Sequence, residues 1–575
     1  MTNKLYILFA FIIGIFNVLS QNQSSQDTLD TQKVSVIKPY TPTLSDAFKL
    51  KIIPQQPIHQ TQKKPIDYQI FSVPVASTFS PAKSKFIGLL KRGALKSFNN
   101  VAALSIGNYT NISANLFLNH DLDKTSRVGG HFGHFSSQGG IDEVVLDDSF
   151  STNFATVFYQ SNSQESNLNV KGDFKRFMSN WYGISQALPA DMIQHSNVKQ
   201  TLSIFEFSTQ YELSNSWLAD ATLKLHTLKD RFDSSEFNLV YDMDLKFDFI
   251  DIPLDATLGI NFLEGTFDRE YTTSESIDYG NTIISFSPSF DFTLPNFKVS
   301  AGFRTYFLLT NQTSKQKFCI VPDLVAQYDV VESIIVAYAK IVGDLVQNTY
   351  LDLYEQNPFI SPTLLLKPTI NIFNSSMGVK GRLSREIGFD LKAKYFKQND
   401  LLMFQQNTEP LIFSGLGYSY GNSFDTIYDD VDTYSFSGFI EGYLNDAFHF
   451  NTQITFNSFK TKSEEQVWNL PELEAEISVD WSPNSKLDLG LQLFYVGERF
   501  DIERFQSTAL NNDLDRIVGV EDFIDLNISA AHNVTERWLA QIKLNNILGQ
   551  NYQRWLQYPT QGFQITAGAF YKFDF

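Results

Sequence analysis

The sequence ends, at residues 563–575, with FQITAGAFYKFDF. Every second residue from Phe563 to Phe575 is apolar, and most of the residues between them are polar or small. A period of two is typical of a β-strand that has one apolar face. Chain ends usually fray in water, so this pattern predicts a strand that is paired on both edges and covered on one face. A closed membrane barrel meets both conditions, because closure removes free edges and lipid covers the outer surface.

The same alternation continues along the chain from about residue 99. In ADATLKLHTLK, residues 219–229, Leu223 and Leu225 share one face, while Lys224 and His226 occupy the other. Short links such as TLPN and SPNSK alternate with long ones, which include residues 348–363, 405–433 and 498–521. Short turns at one rim and long loops at the other are typical of outer-membrane barrels. We predict an all-β, antiparallel transmembrane barrel of about 22 strands, whose last strand closes against the first.

Composition narrows the functional classes. Of 575 residues, 52 are Phe and 25 are Tyr, and the mean hydropathy of −0.17 excludes a bundle of membrane helices. The formal net charge of −18 argues against nucleic acid as a partner. Cys319 is the single cysteine, so an intrachain disulfide is impossible, and we interpret it as a small strand residue. The sequence has no H-E-x-x-H or phosphate-loop motif. Its one G-x-S-x-G match, residues 417–421, falls in a predicted loop and not in the strand–turn–helix elbow that a nucleophile needs. We therefore expect neither an enzyme nor a bound cofactor.

The amino-terminal part divides into two segments. Lys4 precedes an apolar run, residues 5–19, which predicts a signal peptide over residues 1–20 and hence export. Residues 21–98 begin with a polar stretch and then become rich in proline, which predicts disorder followed by an extended arm. The barrel is predicted to occupy residues 99–575.

The carboxyl-terminal segments resemble those of TonB-dependent receptors of Gram-negative outer membranes. The similar stretches are LFYVGERF (493–500), FIDLNISAAHNVTERW (523–538), IKLNNILGQNY (542–552), YPTQG (558–562) and FYKF (570–573), with NPFISPTLLLKP (357–368) as a loop segment. The resemblance implies transport across the outer membrane, with both chain ends in the periplasm. It also implies contact with outer-membrane lipid, lipopolysaccharide and the insertion machinery. That machinery is expected to recognise the terminal aromatic residues Tyr571, Phe573 and Phe575.

One family feature is missing. Such receptors carry a globular plug before the barrel, and residues 21–98 leave no room for one, so the chain is predicted to be plugless. A lumen of about 22 strands is wide enough to need filling. The candidates are the amino-terminal arm, the long loops folding inward, or a second protein. The arm residues expected to face the lumen or a partner are Val34, Tyr40, Phe48, Phe86 and Arg92.

Candidate binding residues lie in the predicted loops. Aromatic side chains could give a ligand a stacking surface; these are Trp468, Trp555, Tyr558, Tyr418 and Tyr420. Acidic runs at residues 142–148 and 425–432 are expected to be solvated loop segments rather than cation sites. His131 and His134 are three residues apart on a predicted strand, so they should point to opposite faces and cannot share a metal ion.

Two functions remain open. The first is gated passage of a solute or polypeptide across the outer membrane. The second is a structural barrel subunit of an envelope export or assembly complex. In that case the lumen would be closed by a partner, such as a surface lipoprotein or another envelope subunit.

Overall fold

A computed structural model describes residues 98–575 except 185–196, 215, 250–251, 312–315, 333, 408–410, 412–414, 446 and 507–512. Within these residues, 22 antiparallel strands form one closed sheet, which confirms the predicted fold class and strand number. The predicted signal peptide, and the arm residues Val34, Tyr40, Phe48, Phe86 and Arg92, lie outside the described residues.

The first half of the barrel consists of β1 (Asn100–Gly107), β2 (Ile112–Asp121), β3 (Ser126–Ser137), β4 (Phe150–Asn162), β5 (Ser166–Asn180), β6 (Lys199–Leu213), β7 (Leu218–Asp230), β8 (Ser235–Phe249), β9 (Ile252–Phe267), β10 (Ile277–Leu294) and β11 (Phe297–Thr310). The second half consists of β12 (Lys317–Val331), β13 (Ile335–Val346), β14 (Thr369–Arg382), β15 (Ile387–Gln406), β16 (Phe424–Asn445), β17 (Phe448–Thr461), β18 (Leu473–Asn484), β19 (Leu487–Val496), β22 (Phe523–Asn533), β23 (Trp538–Asn545) and β26 (Gln564–Phe573). Four strands form two small hairpins outside the barrel sheet: β20 (Arg499–Gln506) with β21 (Asp513–Val520), and β24 (Gln553–Trp555) with β25 (Tyr558–Pro559).

The last strand closes the barrel, as predicted from the final residues. β26 pairs with β1 in a continuous register that runs from Asn100 opposite Phe573 to Gly107 opposite Thr566. Its other edge pairs with β23. Both edges of the terminal strand are therefore hydrogen-bonded, which accounts for an apolar segment so close to the end of the chain.

Side chains alternate between the two faces of the wall. In β3 and β4 the outward positions carry Phe132 and Val157, whose side chains are 43% and 55% exposed. The inward positions of β7 instead carry Lys224 and His226. Outward apolar and inward polar residues match the sequence prediction for a barrel that faces lipid.

The two ends of the barrel differ in their connections. At one end, here called the short-turn rim, links of two to four residues follow the even-numbered strands up to β18, and another follows β22. The other end, the long-loop rim, carries connections of up to 26 residues. The connection 347–368 contains α1 (Tyr350–Gln356), which is capped by Thr349. In the part of the chain that the structure describes, no helix is long and apolar enough to cross a bilayer.

Two loop boundaries need correction. Residues 405–433 were expected to form one loop, but β15 extends to Gln406 and β16 begins at Phe424, leaving 407–423 as the loop. The acidic run 425–432 therefore lies in strand β16. Asp429 is held there by the backbone N–H groups of Lys462, Ser463 and Glu464. Residues 498–521 are likewise mostly the β20–β21 hairpin. Where a strand continues beyond the membrane, both of its faces carry polar residues. The period of two is therefore hard to recognise in the sequence of such an extension.

Candidate functional site

Four connections pack together at the long-loop rim, and we call this assembly the loop layer. It comprises the described parts of connections 181–198, 347–368, 407–423 and 546–563. Its buried core is apolar and strongly aromatic, and it includes Trp181, Tyr350, Leu351, Leu353, Tyr354, Phe359, Ile360, Leu364, Leu366, Tyr418, Trp555 and Tyr558. Burial on this scale stabilises a fixed arrangement of loops.

The loop layer joins opposite sides of the barrel. Connections 181–198 and 407–423 leave the wall ten strands apart in one direction and twelve in the other. Nevertheless, the ring centroids of Trp181 and Tyr418 are 5.5 Å apart, and Asn422 Nδ2 donates to the Trp181 carbonyl oxygen at 2.8 Å. A closed sheet of this many strands is roughly 40 Å across, given the usual strand spacing and tilt. Loops from nearly opposite walls can meet only by extending over the opening.

Tyr558 lies at the centre of the loop layer. Its ring stacks on Phe359 with centroids 3.7 Å apart and meets Tyr182 edge-on at 4.9 Å. Its hydroxyl donates to the Asn422 carbonyl oxygen. Burial raises the pKa of Tyr558 well above its ordinary value, so the hydroxyl stays protonated. Tyr558 thus links its own connection, 546–563, to the other three connections of the loop layer.

The predicted loop aromatics take structural positions. Tyr418, Trp555 and Tyr558 belong to the core of the loop layer, and Tyr420 is 5% exposed in the same connection as Tyr418. Trp468 lies in a separate cluster with Met403, Val431 and Val467. All five side chains are buried, and Tyr558 also faces the cavity described below. For the other four, contact with a ligand requires the loops to separate. Their predicted role as ligand contacts stays a prediction.

A buried carboxylate fixes α1 to the wall. The Glu236 side chain, on β8, has no exposed surface. It accepts hydrogen bonds from the backbone N–H groups of Tyr350 at 2.6 Å and Leu351 at 3.1 Å. It also accepts one from the Tyr279 hydroxyl at 3.0 Å and lies 2.9 Å from His226 Nε2. A buried charge is tolerated when its oxygens are satisfied in this way. Glu236 therefore anchors the connection 347–368.

A second buried carboxylate anchors the β20–β21 hairpin. Asp501 accepts from the backbone N–H of Gln406 at 3.0 Å and from Asn469 Nδ2 at 2.8 Å. Burial raises the pKa of Asp501 to about 6. Nearby, the buried Arg499 guanidinium donates to the carbonyl oxygen of Gln553 at 2.9 Å, which ties this hairpin to the β24–β25 hairpin. The polar anchors and the aromatic core together hold the layer over the opening.

A cavity of 460 Å³ lies between the loop layer and the wall of β3–β5. The cavity has seven aromatic side chains in its lining, and they are Phe135, Phe150, Phe177, Tyr182, Tyr354, Phe359 and Tyr558. Serine, threonine, asparagine and glutamine side chains supply hydrogen-bonding groups between the rings. Its size and mixed lining are typical of small-molecule sites.

Charged groups in the cavity nearly balance. Asp148 accepts from the backbone N–H groups of Gly140 and Ile141, while burial raises the pKa of its carboxyl group. Glu355 lies 3.5 Å from Lys175 Nζ. Burial lowers the pKa of Arg554 to about 10, which leaves it cationic at neutral pH. The lining therefore lacks the concentrated positive charge that a polyanionic ligand would need.

The sequence prediction missed the wall residues of this cavity. Phe150 opens the stretch FSTNFATVF, in which Phe150, Phe154 and Phe158 alternate with Thr152 and Thr156 on one face. Val157, on the opposite face, is outward and exposed, so the phenylalanines point inward. Aromatic residues on the lumen face, where polar residues are the norm, were the signal available in the sequence.

The remaining sequence candidates lie apart from this site. His131 and His134 point to opposite faces of β3, as predicted. Among the described residues, no group of three or more His, Cys, Asp or Glu side chains is arranged to hold a metal ion. Tyr571 and Phe573 stack with centroids 5.7 Å apart at the short-turn rim, and Phe575 is 84% exposed beyond them. Their role in assembly remains a prediction.

Comparison with known proteins gives a match at the level of structure. No protein-family model matches the sequence, and no curated protein matches it. The siderophore receptor PirA from Acinetobacter baumannii aligns with a TM-score of 0.60 at 9% identity, over 84% of this chain and 81% of that one. The FrpB iron transporter from Neisseria meningitidis aligns with a TM-score of 0.61 at 8% identity, over 83% and 82%.

A third similar structure is FpvA of P. aeruginosa bound to heterologous pyoverdines. It aligns with a TM-score of 0.59 at 12% identity, over 83% of this chain and 72% of that one. Identities this low carry information about the fold alone. The barrel therefore has the fold of these outer-membrane siderophore and iron receptors, as the resemblance to TonB-dependent receptors predicted.

Proposed function

We propose that this protein is an outer-membrane barrel that passes a solute through its lumen when the loop layer opens. The observation that carries the proposal is the layer itself, in which loops from opposite walls share one buried core over the opening. A permanently open lumen of this width would abolish the permeability barrier, so a closing element is required. The shared fold with siderophore and iron receptors supports transport as the class of function.

The proposal includes an orientation. Outer-membrane barrels have short turns in the periplasm and long loops outside. We therefore place the loop layer at the cell surface and both chain ends in the periplasm. The cavity under the layer is then the first compartment that a solute enters, and the aromatic residues Tyr418, Trp555 and Tyr558 are the surfaces that separate when it enters.

Planar-bilayer conductance tests which element closes the lumen. We would compare the full chain, a version lacking residues 34–83, and a version whose connection 546–563 is shortened to remove Trp555 and Tyr558. The proposal predicts little conductance in the full chain and a large conductance after the loop is shortened. Because the layer already spans the opening, removing residues 34–83 alone should leave the barrel mostly closed.

Two other outcomes would assign closure of the lumen to a different element. A large pore after loss of residues 34–83, with the loops intact, would assign closure to the amino-terminal arm. If all three versions stay closed only while a co-purifying protein is bound, the barrel is a structural subunit of a larger envelope complex and the transport proposal fails.

A further inference from the structure

The inner wall of β2–β5 carries an unusual row of aromatic side chains. Phe117 of β2 pairs with His131 of β3, and their ring centroids are 6.2 Å apart. His131 also meets Phe154 of β4 edge-on at 4.7 Å, and Phe117 stacks with Phe158 at 6.2 Å. All four side chains are half-buried. They form a contiguous apolar surface on a wall face where polar residues are the norm.

Two glycines allow these rings to lie against the wall. Phe154 is directly opposite Gly133 of β3, and Phe158 is opposite Gly129. A β-carbon at Gly133 would lie 2.2 Å from the Phe154 ring, and one at Gly129 would lie 2.4 Å from Phe158. Any larger residue would push the rings off the sheet. The glycines therefore keep the aromatic faces close to the wall.

The row is continuous with the cavity under the loop layer. Along β4 the inward residues are Phe150, Thr152, Phe154, Thr156 and Phe158. Phe150 and Thr152 line the cavity, and Phe154 and Phe158 continue from it toward the short-turn rim. The eight residue steps from Phe150 to Phe158 span roughly 27 Å along the strand. At the usual strand tilt this is roughly 20 Å along the membrane normal, about two thirds of a hydrocarbon core ~30 Å thick.

Polar groups beside the row are paired and close to neutral overall. Lys171 Nζ lies 2.9 Å from the carboxylate of Asp173, and Lys175 Nζ lies 2.6 Å from that of Glu206. Thr156 Oγ1 donates to Asp173 at 2.6 Å. These groups can exchange hydrogen bonds with hydroxyls, but they offer no net charge to attract an ion.

We propose that this surface, which we call the aromatic track, guides a neutral saccharide from the cavity toward the periplasm. The proposal rests on the proposed function and names its substrate class. A sugar ring has an apolar C–H face that packs on the negative face of an aromatic ring, and its hydroxyl edge bonds to polar groups. Along the track, aromatic positions alternate with threonine and lie beside balanced ion pairs. Apolar faces and hydrogen-bonding groups therefore recur together along the wall. A polyanion would find no net positive charge in the paired groups beside the track.

Single-channel recordings can test the track. Maltohexaose serves as a neutral probe and hexagalacturonate as a polyanion of equal length, both applied to the opened Tyr558→Ala protein. We expect maltohexaose to interrupt the ion current in a saturable manner and hexagalacturonate to do so much more weakly. The double substitution Phe154→Ala and Phe158→Ala should raise the half-blocking concentration of maltohexaose about tenfold or more.

Matched variants separate the track from general effects. Phe132 and Phe174 are outward residues on β3 and β5, and their side chains are 43% and 46% exposed. Their replacement by Ala should leave the blockade unchanged. The pair Phe154→Tyr and Phe158→Tyr should retain the blockade. The pair Phe154→Leu and Phe158→Leu, which keeps apolar volume without an aromatic face, should lose it. If the alanine pair does not fold, the leucine pair decides the question.

The outcomes also separate this proposal from the transport proposal. An opened barrel that conducts ions but shows no blockade by maltohexaose overturns the saccharide track and leaves passage through the lumen intact. Blockade that is indifferent to the residues at 154 and 158 also overturns it. A barrel that conducts nothing after the loop layer is opened, by either Tyr558→Ala or loop shortening, refutes the proposed function itself.

Discussion

Replacing Tyr558 by alanine should open the barrel. The Tyr558 side chain is 1% exposed, packs on Phe359 and Tyr182, and donates to the Asn422 carbonyl. Truncating a buried aromatic residue costs ~3–5 kcal/mol. If the ring is solvated when the loops separate, the substitution destabilises the closed state and leaves the stability of the open state unchanged. Since ~1.4 kcal/mol is a factor of ten in an equilibrium constant, the ratio of open to closed barrels should increase by at least ~100-fold.

The measurement is the open probability of single barrels in planar bilayers. Tyr558→Phe keeps the ring stack and removes one hydrogen bond worth ~1 kcal/mol, so it should raise the open ratio by only about 5-fold. Tyr328→Ala is the control, because that ring is 49% exposed on the outer face of β12. Equal open probabilities for wild type and Tyr558→Ala, with both proteins folded, would refute the reasoning that this core holds the layer closed.

Three further predictions concern the anchors and the terminal strand. Glu236→Ala should leave the first amides of α1 and the Tyr279 hydroxyl without an acceptor, which should destabilise the connection by ~2–5 kcal/mol. The expected result is faster hydrogen exchange at Tyr350, with a smaller effect for Glu236→Gln. Burial raises the pKa of Asp501 to about 6, above the ~3.9 of an unfolded chain. As the pH falls, the folded hairpin therefore binds a proton at Asp501 before the unfolded chain does. Its stability should therefore rise as the pH falls from about 7 to about 4, by up to ~1.4 kcal/mol per unit. Hydrogen exchange of the hairpin should show this trend, and Asp501→Asn should abolish it. Phe575→Ala should leave barrel stability nearly unchanged, since the side chain is 84% exposed, but should reduce the amount inserted in cells; equal insertion would contradict the predicted assembly signal.

The barrel could be predicted from the sequence because its physical determinants are local. Alternation sets the faces of each strand, short polar links set the turns, and the apolar terminal residues require a partner strand. The pairing of Asn100 with Phe573 follows from closure. Strand extensions beyond the membrane were missed at the acidic residues of β16, because polar residues on both faces hide the period of two.

The loop layer could not be predicted, because its contacts depend on which loops meet above the opening. Tyr418 and Tyr558 lie in long connections between barrel strands, as predicted. Their burial depends on Trp181 and Phe359 respectively, which are 237 and 199 residues away in the sequence. Glu236 was one acidic residue among many on inward positions. Its role is visible only once Tyr350 and Leu351 are placed against it.

Conductance under a reversible cross-link between the barrel wall and a loop tests the central claim most directly. Gln406 is the last residue of β15, and Gln557 lies in connection 546–563 of the loop layer. Gln406 Nε2 donates to Gln557 Oε1 at 2.9 Å. Cysteines at both positions, in a Cys319→Ser background with Tyr558→Ala, can be joined by a short reducible bifunctional reagent. Cysteines at Asn167 and Glu212, hydrogen-bonded neighbours on adjacent strands at the opposite rim, provide the control. The account predicts that linking 406 to 557 closes the barrel, that reduction reopens it, and that the control link has no effect. A large conductance that persists with 406 and 557 linked would contradict closure by the loop layer.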